Sequence, residues 1–325
     1  VAFRPFSPFI NRKPWAAVVV TFVLAPMGGL FYLGKGALGL LYGAAYFVAA
    51  FLAALAAHYG DFDLSLKHCM MLGALTLTVV AAGHCFVAAK KAQGAVPVQW
   101  FARWYFLFVL LFAQTVIPHL MRSFLFEPFN IPSGASLPNL KVGDHLFVSK
   151  YAYGYSRYSF PVDVPVDEGR WFFTPPKRGD IAVLKLPTDP RVNYIKRIVG
   201  LPGDRIQVKG GILHINDRPV DRERVGEYTR QDSLQREPKV TPQFRETLPN
   251  GATYFILEET DQALMDNTPV YEVPAGHYFA MGDNRDRTRD SRFLQDVGYI
   301  PEENLVGRLA LLYWNSETKR LLFLD

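Results

Sequence analysis

The sequence predicts a set of membrane-spanning α-helices followed by a mostly β domain that carries a smaller β insertion. Three observations lead there. Residues 15–120 are strongly apolar and hold few charges. They divide into four runs, roughly 15–33, 37–57, 70–89 and 104–120, each approaching the ~20 residues needed to span a bilayer. After residue 140 the pattern changes to short β-branched or aromatic runs separated by turn signals, with no helix-period stretch of comparable strength.

The first apolar run contains Pro26, Gly28 and Gly29, with Gly34 and Gly36 just beyond. It is expected to form a re-entrant or interfacial hairpin with the second run. A cleaved signal peptide would be one shorter stretch with a small-residue cleavage site, which does not match four runs. Lysine and arginine set the orientation. Arg4, Arg12 and Lys13 favour a cytoplasmic N-terminus, and Lys90, Lys91 and Arg103 favour a cytoplasmic loop before the last run. The loop 58–68, with Asp61 and Asp63, can face outward. Everything after residue 122 is then outside, provided the first run does not fully cross. Four full spans with an outer N-terminus is the alternative. His84, inside the third run, is either a functional intramembrane group or a neutral histidine bonded to a neighbouring helix.

The expected domain limits are a cytoplasmic tail at 1–14, a membrane region at 15–122 and an extracytoplasmic domain at 123–325. Within that domain the strands read as DHLFVSKY, DIAVLKL, RVNYIKRIVG, RIQVKG, ILHIN, TYFILEE and LVGRLALLYW. Lys209-Gly210-Gly211 and Asn216-Asp217 are hairpin-turn signals. An insertion is expected at about 206–276. Within it the polar stretch 221–250, rich in Arg, Glu, Gln and Pro, reads as an insertion or long loop.

The 325-residue chain carries a formal charge of +5, with bases and acids mixed after residue 140. That balance lacks the basic patch of a nucleic-acid binder and suits a bilayer or acidic-lipid surface. The two cysteines, Cys69 and Cys85, would lie about 24 Å apart on one helix at 1.5 Å rise per residue, too far for a disulfide. Two spaced cysteines also make no metal site.

Three stretches carry chemistry. Period-2 alternation puts Tyr194, Lys196 and Ile198 on one face of a strand and Arg197 on the other. A strand lysine commonly snorkels to water. If buried, it can instead titrate as low as about 5–6 and take a proton from a serine hydroxyl. Pro132 and Pro138 bracket Ser133-Gly134-Ala135-Ser136-Leu137, where the chain leaves the membrane. This is either a polar turn or a rigid loop presenting a nucleophile and an oxyanion donor. The run GDNRDRTRDSR at 282–292 is either a solvated charged loop or an ion-paired one folded on the core, where Thr288 could orient a lysine amine.

Together these motifs resemble the bacterial type I signal peptidases (leader peptidases). The match runs from about 122 to 314 through RSFLFEPFNIPSG, VGDHLFVSKYAYGYSRYSFP, KRGDIAVLKLP, YIKRIVGLPGDRI, MGDNRDRTRDSR and VGRLALLYW. The YGYSRYSFP run is most similar to the alphaproteobacterial branch. The resemblance implies the Ser/Lys peptidase fold on the outer face of the bacterial cytoplasmic (inner) membrane, as a multi-pass protein. It implies cleavage of signal peptides of exported preproteins after small residues, no cofactor and no metal, and contact with the bilayer and the secretion machinery. Lys196 matches the general base, Ser133 the oxyanion donor, and Thr288 the hydroxyl that orients the lysine. Asp283, Arg285, Asp290 and Arg292 match a supporting charged box. Residues 129–137 and 180–186, among them Phe129, Ile131, Pro132, Leu137, Asp180, Ile181 and Val183, would flank the substrate.

The chain departs from the family at Thr288, where a serine is usual, in having more apolar segments than the usual one or two anchors, and at the nucleophile position. The family pattern Pro-Ser-x-Ser-Met-x-Pro places the nucleophile where this chain has Ala135, and Ser136 stands at the methionine. Three accounts are open: a serine replaced to trap a substrate, a natural pseudoenzyme that binds without cutting, or Ser136 serving after a one-residue adjustment. Such a shift moves a side chain by ~3.3 Å and turns it to the opposite face. A processing peptidase dedicated to one substrate is a further reading. A soluble Ser/Lys autoprotease is disfavoured by the apolar first third.

Overall fold

In the computed structural model, residues 9–59, 64–92, 95–97, 99–160, 169–230, 239–315 and 322–323 are described. Arg4, Asp61 and Asp63 lie outside them, as does the segment 231–238. The chain divides into two compact units, Val1–His119 and Leu120–Asp325.

The first unit is helical: α1 (Pro14–Val23), α2 (Ala25–Tyr32), α3 (Gly36–Tyr59), α4 (Leu64–Lys91) and α5 (Trp104–Leu120). The first apolar run is therefore two short helices. The break falls at Leu24, where the helix hydrogen bonds stop, and at Ala25, which takes a φ of 59° before Pro26 opens α2. Proline tolerates that position because the first-turn N–H has no helical partner anyway. At 1.5 Å per residue, ten and eight residues are too short to cross a bilayer. Two helical stretches among the described residues are long and apolar enough to do so, Leu72–Lys91 and Trp104–Leu125. The second includes a π-helical turn, Met121–Leu125, that leads into the β unit. His84 is accounted for: its Nδ1 lies 3.0 Å from the Tyr42 hydroxyl on α3, so the polar group is satisfied between helices.

The second unit is built on an eight-stranded antiparallel sheet. Its main path runs Ile300–Pro301, His277–Met281, Asp189–Gly200, Ile181–Leu186, Leu305–Asn315, Asp144–Ser149 and Phe126–Asn130. Between the neighbours Asp189–Gly200 and His277–Met281, the chain 201–276 makes two small sheets. One joins Tyr271–Glu272, Arg205–Lys209, Ile212–Ile215 and Arg218–Pro219; the other joins Asp221–Arg230, Lys239–Thr247 and Thr253–Leu257. They share a core with the main sheet, in which Ile206, Leu213, Leu248 and Ile256 pack with Val199, Phe279 and Met281.

Both expected hairpin turns are present. Gly210 and Gly211 (φ 53° and 74°) and Asn216 and Asp217 (φ 53° and 65°) take the left-handed pair that a two-residue type I′ turn needs. The stretch 221–250, expected as an insertion or long loop, lies in this inserted chain but is not a loop: it forms two long strands, Asp221–Arg230 and Lys239–Thr247. Charge hid them. The ribbon is held by cross-strand pairs such as Glu223 with Arg245 rather than by an apolar face, so it shows no hydrophobic alternation.

Candidate active site

Lys196 lies in the second half of the strand Asp189–Gly200, and the predicted alternation holds there. Tyr194 and Ile198 pack into one core cluster, while Arg197 turns to the opposite face and stacks on the Tyr254 ring at 4.0 Å. The Lys196 side chain is buried, 5% exposed, and its Nζ donates to Thr288 Oγ1 at 2.7 Å. Burial pulls its pKa down from the ordinary 10.5 to about 8, against the smaller upward pull of Asp290 and Asp283. The second buried lysine, Lys150, is different: Glu127 takes its ammonium at 2.8 Å, which makes it structural.

Thr288 reaches Lys196 because Gly282 leaves room. A Cβ at 282 would stand 2.6 Å from Thr288 Cβ and 2.7 Å from its Cγ2. The charged run 282–292 is folded on the core. Arg197 forks onto Asp283 at 2.8 and 2.7 Å, and Asn139 donates to the same carboxylate at 2.7 Å. Arg285 forks onto Glu246, which also accepts from the Tyr254 hydroxyl at 2.8 Å. Asp290 receives Arg292 at 2.9 and 3.0 Å and the Gly282 amide at 3.0 Å. Coulomb attraction and hydrogen bonds from Arg292 outweigh burial and hold Asp290 below the usual carboxylate range. Asp283, Glu246 and Asp290 are each matched by a guanidinium, which the burial of such charges demands.

The serine loop is a single 3-10 turn, Gly134–Ser136, opened by Ser133 in extended backbone. Asn284 clamps it: the backbone N–H donates to Ala135 O at 3.1 Å and Nδ2 to Gly134 O at 3.0 Å. A cavity of about 470 Å³ joins these parts. Its walls include Phe129, Ile131, Pro132, Ser133, Ala135 and Ser136 on one side, Val192–Lys196 on another, and Arg287, Thr288 and Arg289 at the end. Ser133 is exposed. The Ser136 side chain is buried and its Oγ donates to Ile195 O at 3.5 Å, a long contact that aims it at the strand backbone and not at the lysine amine.

Several residues expected to flank the substrate stand away from this cavity. Asp180, Ile181 and Val183 do not line the cavity. Their strand, Ile181–Leu186, is paired on one side with the lysine strand and on the other with Leu305–Asn315, so it has no free edge to offer. Asp180 is occupied by the Tyr153 hydroxyl and the Lys177 amide, both at 3.0 Å. Leu137 is buried beneath the loop and is not a wall residue either. The exposed edge belongs to the lysine strand itself. His277–Met281 pairs only with its Arg197–Gly200 end, so among the described residues the 192–195 stretch has no strand neighbour on that side. An extended peptide can add there as a strand.

Arg197, Asn284, Gly282, Glu246, Tyr254 and Asn139 were not singled out as site residues from sequence. Alternation alone puts Arg197 on the face opposite Lys196, and Gly282 and Asn284 stand inside the charged run 282–292. Glu246 and Tyr254 carry no local signal.

The sequence profile of the family described as signal peptidase, peptidase S26, matches residues 100–314. Signal peptidase I of Rickettsia typhi is 39% identical over 220 residues, covering 65% of this chain and 79% of that protein. Signal peptidase I of Rickettsia akari is 40% identical over 206 residues, covering 61% and 75%. A solved signal peptidase I from Enterococcus faecalis covers 42% of this chain and 98% of that one at 24% identity, with a TM-score of 0.25, too slight a likeness to carry weight. With two thirds of its length matched, including the whole of the lysine strand and the charged run, this chain belongs to the signal peptidase family, peptidase S26, in its bacterial, alphaproteobacterial-like type I form.

Proposed function

We propose that this chain is a membrane-bound Ser/Lys endopeptidase that removes signal peptides from exported preproteins. One observation carries the reading: a buried lysine amine, held by Thr288 at 2.7 Å, lines the same cavity as the serine loop. An amine titrating near 8 can take the proton of an attacking hydroxyl. The hydroxyl oxygen bonds to the scissile carbonyl carbon, its proton passes to Lys196, and the lysine returns it to the leaving amine. Water, deprotonated by Lys196, then adds to the acyl carbon, the bond from that carbon to the side-chain oxygen breaks, and the lysine returns the proton to that oxygen. Ser133 is the side-chain donor to the developing oxyanion. The open 192–195 edge and the loop from Phe129 to Pro132 hold the peptide extended, so positioning supplies much of the effect.

The nucleophile's place is residue 135. With alanine there, Ser136 is the candidate hydroxyl in this chain, and it must leave Ile195 O and turn toward the amine. That geometry favours a second reading, capture of signal peptides without cleavage.

For the membrane, the first apolar run, α1 and α2, does not fully cross, and α3, α4 and α5 cross. From a cytoplasmic tail at 1–14 this membrane region, 15–122, delivers 123–325 to the outer face of the cytoplasmic membrane, as the Lys90, Lys91 and Arg103 loop requires. The apolar face of α5, with Trp104, Phe108 and Phe112 exposed, meets lipid. In the β unit, Trp171 and Phe172 expose an aromatic surface suited to the bilayer interface.

The test is cleavage of a preprotein with an A-x-A site, in detergent, by the chain itself, Ala135→Ser and Ser136→Ala. Activity in the chain that Ser136→Ala abolishes makes Ser136 the nucleophile. Activity in Ala135→Ser alone gives the binding-only reading for the chain as it stands. Silence from all three, with peptide bound, removes Lys196 as a competent base.

A further inference from the structure

Three carboxylates outside the lysine site converge where the small sheets meet the charged run. Glu258 follows the strand Thr253–Leu257, Asp266 lies in the loop beyond, and Asp286 sits in the 3-10 turn Arg285–Arg287. Glu258 is 2% exposed and Asp266 fully buried. One oxygen of Asp266 and one of Asp286 are used: Asp266 Oδ2 accepts from the Ala263 amide at 2.5 Å, and Asp286 Oδ2 from the Glu259 and Thr260 amides at 2.6 and 3.2 Å. The remaining four, both Glu258 oxygens, Asp266 Oδ1 and Asp286 Oδ1, have no hydrogen-bond partner.

One oxygen from each residue lies within 4.8 Å of the others. That is the span of two oxygens across a calcium ion bound at about 2.4 Å. Burying unpartnered carboxylates is costly unless a positive charge joins them. Arg285 and Arg292 draw on Glu258 by charge, but their ion pairs lie elsewhere, Arg285 with Glu246 and Arg292 with Asp290, and Arg222 pairs with Asp261.

We propose that Glu258, Asp266 and Asp286 bind one hard divalent cation, calcium by the chemistry of the set. All donors are oxygens, and a buried, carboxylate-rich cluster suits calcium better than magnesium, which keeps several waters. Bound there, the cation ties the turn bearing Asp286 to the loop 258–266. Thr288 stands two residues further along that turn, so the cation steadies the partner of Lys196. This last consequence rests on the proposed role of Lys196; the binding itself does not.

The rival occupant is a proton. Burial pushes Glu258 up to about 9, so an uncharged acid could fill the cluster instead. The experiment is calcium titration of the full chain in detergent, stripped with EDTA, by calorimetry and thermal unfolding near neutral pH. Expected are a stoichiometry of one, a saturable rise in Tm, and loss of affinity by about tenfold or more in Glu258→Gln and in Asp266→Asn. Weaker binding of magnesium agrees with the assignment. Absence of heat and of any Tm shift in the parent overturns the proposal, even if both variants fail to fold. Undiminished binding in folded variants also overturns it. A parent indifferent to calcium, with a Glu258→Gln variant at least as stable, shows that the site holds a proton. Cleavage is not read in any arm, so failure of the peptidase reading leaves this result intact.

Discussion

Gly282 and Thr288 occupy each other's space: a Cβ on the glycine would stand 2.7 Å from the threonine Cγ2. The glycine is therefore part of the lysine site although it touches no reacting atom. Gly282→Ala is expected to push Thr288 off Lys196 Nζ and to cost about 1–3 kcal/mol through overpacking. Urea unfolding reads the loss, and cleavage by the Ala135→Ser form reads the displacement. Thr288→Ser keeps the hydroxyl and is expected to stay within a few-fold of that form. Thr288→Val is expected to fall by about ten- to a hundredfold, as for a lost orienting partner.

The lysine sets the pH dependence. Cleavage by the Ala135→Ser form is expected to rise with pH through about 8, where Lys196 loses its proton. Stability follows with a definite sign. Between about 8 and the ordinary 10.5 the unfolded chain holds a proton that the native one has released, so stability increases with pH across that window. Below it both forms are charged and the burial penalty stays. Lys196→Met is therefore expected to gain most over the parent below about pH 8 and progressively less above it. A flat rate profile between neutral and alkaline pH would refute the assignment of the base.

Asp290 works against that depression, since its charge favours the ammonium form of Lys196. Asp290→Asn removes the attraction and leaves Arg292, which disfavours the ammonium. The rate profile of the Ala135→Ser form is expected to shift to lower pH. A profile that stays in place in a folded variant would show that Asp290 serves only to hold Arg292.

Glu246 is the sole carboxylate on Arg285 among the described residues, and both are buried. Glu246→Gln strands the guanidinium and weakens the acceptor for the Tyr254 hydroxyl. The expected cost is about 3–5 kcal/mol, the usual penalty for breaking a buried pair from one side. Chemical unfolding of the variant measures it, and a loss below about 1 kcal/mol would mean that water reaches Arg285.

Features written in neighbouring residues were legible in the sequence. The alternation around Lys196 separates it from Arg197 because strand side chains repeat every two residues. The turns at Gly210-Gly211 and Asn216-Asp217 follow from residue types that tolerate positive φ. The six motifs carried the family. Charge obscured the 221–230 and 239–247 strands, because a ribbon joined by ion pairs has no apolar period to read.

Tertiary structure alone decided the rest. Lys196 meets Thr288 across 92 positions, and Arg197 meets Asp283 across 86. Which strand edge stays open depends on where His277–Met281 stops pairing, and Ser136 turns toward Ile195 because Asn284 clamps its loop. Local spacing encodes the conformation of each segment. Partners so far apart in the chain are brought together only by the packing of the folded unit, whose core cost is shared by every strand that closes it.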